Sequence, residues 1–120
     1  MMMYAILCYD HEADIATWTK EEDAAVIARL EAVQEKWKIA GRLGAVGRLL
    51  PTKEAKTVQK RDGMQLVVDG PFAETKEALL GFYVLECASM EDAVAAAKEL
   101  ASVKETQGSY EVRPFMMLRP

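Results

Sequence analysis

Residues 69–77 read DGPFAETKE, and this stretch decides how the middle of the chain is arranged. The MQLVV segment directly before it predicts a strand, because apolar and β-branched side chains suit a pleated surface. Gly70 precedes Pro71, and the proline ring disfavours the helical conformation in the residue before it. The chain must therefore turn at Asp69, and we expect Thr75 to cap a short helix after the turn.

Upstream of this turn, the sequence predicts a β-hairpin. Residues 56–60 and 64–68 both have strand composition, and they are separated by a short link that contains Asp62-Gly63. An Asp-Gly pair readily adopts the positive φ angles of a tight hairpin turn. The two strands should therefore pair with each other.

Two helices are predicted from their capping residues and apolar spacing. Thr19 and Glu22 form a capping box, and Ser89 is placed to cap the second helix. Gly41 closes the first helix, and the second should end within 106–108. Apolar residues recur at helical spacing in both segments: Ile27, Leu30, Val33 and Trp37, then Ala93, Val94, Ala97, Leu100 and Ala101.

Four further strands are predicted at 3–9, 43–50, 80–88 and 110–118. The first is an almost continuous apolar run, which is typical of a strand that is covered on both faces. The second contains Gly44 and Gly47 and ends at Pro51. The last contains Pro114, which cannot donate a ladder hydrogen bond, so this strand should lie at an edge or carry a bulge.

The order strand, helix, strand, hairpin, strand, helix, strand predicts an α+β fold, a ferredoxin-like split βαβ with an added β-hairpin. Two helices can cover only one face of such a sheet. Because 3–9 and 82–85 are apolar at successive positions, the opposite face also needs a cover. We predict a homodimer packed sheet to sheet, and the alternative is that the hairpin folds over this face.

Length and composition exclude several classes of protein. With 120 residues and 51% hydrophobic content, we expect one domain spanning 1–120. A net charge of −4 disfavours direct nucleic-acid binding. The apolar start of the chain fits neither a signal peptide nor a membrane span, so we expect a cytoplasmic protein with no membrane association. Cys8 and Cys87 do not have the spacing of a metal site or a redox pair, so we expect both to be buried thiols. The sequence contains no metal, flavin or nucleotide motif that would predict a cofactor.

The 69–77 stretch resembles the DGPFAETKE signature of the YCII-related (DGPF-domain) proteins. The similarity extends over most of the chain, including 4–9, 58–63, 81–83 and 111–114. It implies membership of the dimeric α+β barrel superfamily, in a family whose activity is mostly unassigned. The family's histidine and aspartate pair has its histidine in the first turns of the first helix, but this chain has no histidine there.

Two residues are candidates for acid–base catalysis. Asp69 ends a strand beside a rigid turn, where partial dehydration would suit a general base, although an aspartate there commonly accepts backbone hydrogen bonds. His11 is the only histidine, and it follows the first strand beside Asp10 and Glu12. Its pKa range suits proton transfer or metal ligation, whereas an acidic loop with one histidine also describes a solvated connection.

Four residues are candidates for binding a ligand. Arg48 and Lys76 are cations that could hold an anion, and both also fit an ordinary solvated surface. Tyr9 and Tyr83 could line a cleft between sheet and helices, and core or dimer packing explains them equally well.

These observations lead to two functional hypotheses. The first is a small organic molecule bound in a cleft between sheet and helices, with cofactor-independent acid–base catalysis as the simplest reaction. The second follows from the resemblance alone, because DGPF-domain proteins are linked to extracytoplasmic-function sigma factors: a regulatory module that binds such a factor. The sequence does not decide whether the protein is an enzyme.

Overall fold

A computed structural model describes residues 1–119 as two antiparallel sheets with helices on one face of the larger sheet. The strands are β1 (Met2–Asp10), β2 (Leu43–Arg48), β3 (Lys56–Arg61), β4 (Met64–Asp69), β5 (Ala78–Cys87) and β6 (Ser109–Pro114). The helices are α1 (Glu12–Ile15), α2 (Lys20–Ile39) and α3 (Met90–Ser102), and a 3₁₀ turn spans Thr52–Glu54. No helix in this part of the chain has both the length and the apolar character to span a bilayer.

The four-stranded sheet has the order β2-β5-β1-β6, with every neighbouring pair antiparallel. Strands β1 and β5 occupy the centre, and each βαβ unit skips over the strand that lies between its two ends. This is the ferredoxin-like arrangement, so the predicted α+β fold is confirmed.

The core lies between this sheet and helices α2 and α3. Ile6, Leu85 and Leu100 have no exposed surface, and the rings of Trp37 and Tyr83 meet edge to face with centroids 6.1 Å apart. Such aromatic pairs stabilise a core by about 1 kcal/mol beyond the area that they bury. The packing of α2 on the sheet therefore depends mainly on the C-terminal half of that helix.

Both predicted helix caps are present. The Thr19 hydroxyl accepts a hydrogen bond from the Glu22 amide at 3.0 Å, and the Glu22 carboxylate accepts one from the Thr19 amide at 3.2 Å. Ser89 accepts from the Asp92 amide at 3.1 Å. The capping residues therefore fix where α2 and α3 begin.

The short helix predicted after the turn is wrong. Residues 71–77 form bends, and the Thr75 hydroxyl donates to the Glu77 carbonyl instead of capping a helix. Pro114 is the last residue of edge strand β6, which confirms its predicted edge position, although that strand is shorter than predicted.

The predicted hairpin is confirmed as β3 and β4, and we call it the arm (residues 56–69). Its turn has Asp62 at φ 51° and Gly63 at φ 77°. The arm forms its own sheet and does not fold over the larger sheet, so the alternative cover for that sheet is wrong for a single chain.

The radius of gyration of the chain is 16.0 Å. A compact chain of this length would have about 14 Å, so the structure is more extended than a sphere-like domain.

We expect Ile6→Ala to lower the free energy of unfolding by about 3 kcal/mol, because it leaves a cavity between the sheet and the helices. Ile39→Ala is the matched control, since Ile39 is 79% exposed at the end of α2. Its effect should stay within about 0.5 kcal/mol. Urea unfolding measures both changes, and equal losses would contradict the placement of the core.

Candidate functional site

A cleft of about 900 Å³ opens between the sheet and the N-terminal half of α2. Strands β1, β2, β5 and β6 contribute its floor, whereas α1 and residues 49–53 form the rim. Most of its lining is apolar, including Trp18, Ile27, Leu30, Val46 and Leu50. A concave, mainly apolar surface with a few polar groups is the usual form of a site for a small organic molecule.

One row of residues crosses the floor of the cleft. The strand register aligns Tyr110, Cys8, Gly81 and Arg48 on β6, β1, β5 and β2, and all four line the cleft. A Cβ at Gly81 would lie 2.6 Å from the carbonyl oxygen of Gly47, so a larger residue would push β2 away. Glycine at this position therefore leaves the floor without a side chain between Cys8 and Arg48.

Arg48 on the floor makes an exposed ion pair, and a hydrogen bond fixes the polar groups at the rim. Arg48 donates from Nη2 to Asp23 Oδ1 at 2.7 Å and from Nη1 to Oδ2 at 3.4 Å. The Glu12 carboxylate accepts the Thr52 amide at 2.8 Å, which fastens α1 to the segment leading into the arm. The rim is thus made of two elements that hold each other in place.

A buried ion pair supports the inner end of the cleft. Asp10 is 1% exposed, and its Oδ2 lies 3.0 Å from Lys104 Nζ and 2.6 Å from the Thr106 hydroxyl. The amide of His11 donates to Asp10 Oδ1 at 2.8 Å. Burial acts to raise the pKa of Asp10, but the bonds from Thr106, Lys104 and His11 and the charge of Lys104 together lower it.

The floor presents neutral hydrogen-bonding groups at physiological pH. Burial raises the pKa of the Cys8 thiol to about 12, and the nearby Lys104 charge offsets this only in part. Burial also raises the pKa of Tyr110, with smaller contributions from Cys8 and Asp10. The Tyr83 hydroxyl, whose pKa is raised chiefly by burial, is within 3.4 Å of Gln34 Nε2. Both tyrosines therefore keep their protons and can donate to a ligand.

Comparison with known proteins identifies the family. A family model for the YCII-related domain matches residues 2–119. The chain belongs to the YCII-related family. An uncharacterised protein of Rhizobium meliloti (strain 1021) is 50% identical over 119 residues, which cover 99% of this chain and 96% of that protein. The family that the signature suggested is thereby confirmed, and the chemistry must be argued from the site itself.

Two of the predicted site residues line the cleft of this YCII-related chain. Arg48 and Tyr83 come from neighbouring strands and point to the helix-covered side of the sheet. Tyr9 instead lies on the opposite face, where its hydroxyl is 3.2 Å from Glu111 Oε1. Alternation along β1 explains the difference, because the neighbouring residue Asp10 points to the covered side.

Asp69 lies outside the cleft at the base of the arm. Its Oδ1 is 2.6 Å from Lys56 Nζ, and its side chain is 87% exposed. The next residue, Gly70, has φ 94° and donates its amide to the Ala55 carbonyl at 2.7 Å. Glu77, at the end of the same stretch, accepts two hydrogen-bond contacts from the Ser109 hydroxyl. The signature therefore closes the arm and fixes the start of β5.

His11 and Lys76 lie together in a second, smaller depression beside α1. His11 Nδ1 is buried without a hydrogen-bond partner and lies 3.8 Å from Asp14 Oδ2. Residues 1–119 contain no group of three or more His, Cys, Asp and Glu side chains arranged to hold a metal. The acid–base roles of His11 and Asp69 stay predictions, and the two residues do not share the main cleft.

Sequence reasoning missed several residues of the cleft, and three of them bring polar groups close to its floor. Gln34 lies on α2, Tyr110 on β6, and Lys104 in the connection between α3 and β6. For Tyr110 a signal was present, because it alternates with Val112 along a strand and so shares its covered face. No local sequence pattern marks Lys104, because only the tertiary fold brings it next to Asp10.

We expect Asp10→Asn to lower the free energy of unfolding by about 3 kcal/mol at neutral pH, because it leaves the Lys104 charge without its buried partner. The pKa of Asp10 is lower in the folded chain than the usual value of about 3.9. Its stabilising effect is therefore complete above that value and is lost as the pH falls through the folded pKa. The difference between wild type and variant should shrink below about pH 4.

Asp69→Asn is the matched control, because it removes the same charge from an exposed ion pair. It should change stability by less than about 1 kcal/mol. Urea titrations at several pH values measure both variants. A stability difference for Asp10→Asn that stays constant down to strongly acidic pH would contradict the charged state assigned to this carboxylate.

Proposed function

We propose that this YCII-related protein binds a small, largely apolar organic molecule in the cleft between its sheet and α2. The observation that carries the proposal is the floor of the cleft, where tyrosine hydroxyls and an arginine surround a position without a side chain at Gly81. Apolar walls would supply most of the binding free energy, and the polar groups would orient the ligand.

The most suitable ligand carries a carboxylate or another single anionic group. Arg48 can hold such a group bidentately, and its present partner Asp23 is weakly bound to it, because both side chains are well exposed. An exposed pair of this kind contributes at most about 1 kcal/mol, so exchanging Asp23 for a ligand carboxylate costs little. The hydroxyls of Tyr83 and Tyr110 would donate to an acceptor at the other end.

Catalysis is a separate step beyond binding. The protonated floor groups favour stabilisation of developing negative charge on a ligand, as donors do in an oxyanion site. Acid–base catalysis by Asp69 or His11 would have to occur outside this cleft. Association with a sigma factor, which the family resemblance implies, likewise stays a prediction.

A second copy of the chain is the proposed cover for the other sheet face. Leu7 and Phe82 face each other there across β1 and β5, and a Cβ at Gly47 would lie 2.5 Å from the Phe82 ring. The ring therefore occupies the space that a side chain at Gly47 would need. Sedimentation velocity at micromolar concentration should give twice the mass of one chain, and a monomer there would contradict the proposed pairing.

The cleft is tested by thermal unfolding against a panel of small aromatic and aliphatic carboxylic acids, each beside its neutral amide. A ligand at 100 times its dissociation constant adds about 2.7 kcal/mol to the free energy of unfolding. For a chain of this size that raises Tm by roughly 10 °C. We expect acids to give larger shifts than their amides, because only the acid can pair with Arg48.

Val46→Trp should abolish the shift by filling the cleft, whereas Val94→Trp is the control on the outer side of α3. Arg48→Met should remove the preference for acids while leaving part of the shift. A wild-type shift that survives Val46→Trp would place the ligand elsewhere. No shift from any member of a broad panel would count against the proposed ligand class.

A further inference from the structure

The arm leaves more apolar surface exposed than an isolated hairpin can sustain. Val58, Met64, Leu66, Val67 and Val68 are between 43% and 68% exposed. A two-stranded hairpin alone is at best marginally stable in water, and exposed apolar edge strands tend to pair with other chains. Exposed apolar surface on this scale usually marks an interaction surface.

The arm is apolar on both of its faces. Leu66, Val67 and Val68 follow one another along β4, so their side chains point alternately to opposite sides. A hairpin with one solvated face would alternate polar and apolar residues instead. The arm is therefore suited to lie between two surfaces in its working assembly.

A second copy of the chain supplies two surfaces of the required kind. One is the uncovered sheet face that contains Leu7 and Phe82, and the other is the copy's own arm. Twofold symmetry would form each contact twice, which doubles the apolar area that is buried. A partner with one flat surface would leave half of the arm exposed.

The charge of the arm also favours a copy of this chain. The arm carries Lys56, Lys60 and Arg61 against Asp62 and Asp69, whereas the whole chain has 15 basic and 19 acidic residues. Lys56 is paired with Asp69, but no ion pair engages Lys60 or Arg61 at the tip within residues 1–119. A basic tip and an acidic body are electrostatically complementary between two copies.

We propose that the arm of each protomer docks on a second copy of the chain and that this docking fixes the rim of the ligand cleft in the same protomer. Residues 49–53 line the cleft and lead directly into β3, so fixing the arm also fixes the rim. Dimerisation and ligand binding are then linked, and each strengthens the other by the same factor. This inference rests on the cleft and the dimer proposed above.

The test is the double variant Val58→Lys/Val67→Lys. The two residues lie opposite each other across the hairpin, so each arm gains two charges and a symmetric dimer gains four. Sedimentation equilibrium should show a dimer dissociation constant raised by roughly 100-fold, as expected when central apolar contacts are removed. The control Ile39→Lys/Val94→Lys adds the same charge at exposed apolar positions on α2 and α3. Its dimer dissociation constant should match that of wild type.

A second variant guards against misfolding of the first. Deleting Lys60, Arg61, Met64 and Gln65 keeps the Asp62-Gly63 turn and joins it to the opposed pair Gln59 and Leu66. This shorter arm should also weaken the dimer, and circular dichroism with a cooperative thermal transition confirms that each variant is folded. In both arm variants, acids from the panel should bind more weakly than to wild type.

The outcomes separate the proposals. Folded arm variants that dimerise as tightly as wild type would overturn arm docking and leave a dimer held by the sheet faces alone. Arm variants that become monomeric but bind acids as tightly as wild type would overturn the link to the cleft. A wild-type dimer that binds no acid would contradict the ligand proposal, whereas a monomeric wild type that binds acids would contradict arm docking and the dimer.

Discussion

The whole structure depends on one imbalance: a sheet with two apolar faces is provided with helices for only one of them. Helices α2 and α3 bury one face around Ile6, Leu85 and Leu100. On the other face Leu7 and Phe82 have no helix above them. Since hydrophobic burial is the dominant favourable term in folding, this asymmetry is the physical basis of the dimer proposed above.

The cleft is a second consequence of how α2 meets the sheet. Val33 and Trp37 pack into the core, whereas Val26 and Leu30, one or two turns earlier, line the cleft. The helix therefore contacts the sheet closely at one end and leaves space at the other. At the inner edge of this space, Asp10 at the end of β1 pairs with Lys104 in the loop before β6. This ion pair joins the strand to the loop there.

The order of elements and the fold were predictable because their signals are local. The Thr19 cap, the Ser89 cap and the Asp62-Gly63 turn each depend on residues within one turn of one another. Arg48 was also identified as a cation and Tyr83 as an aromatic residue on a predicted strand, but the same reasoning placed Tyr9 in the cleft, although alternation along β1 turns it to the opposite face.

The remainder of the site depends on tertiary placement and could not be predicted in this way. Asp69 and the short helix expected at Thr75 were judged from turn chemistry, but the arm stands away from the sheet and carries Asp69 with it. Lys104 meets Asp10 only because β6 returns beside β1. Neither the position of Asp69 nor the pairing of Lys104 with Asp10 can be predicted from a short stretch of sequence.

Hydrogen exchange of the wild-type amides, followed by mass spectrometry at low and high protein concentration, tests the central claim that one chain is half of an assembly. The account predicts that protection of residues 56–69 rises with concentration, together with that of 49–53, while the core amides stay protected throughout. Arm amides that exchange rapidly at every concentration, beside a protected core, would contradict it.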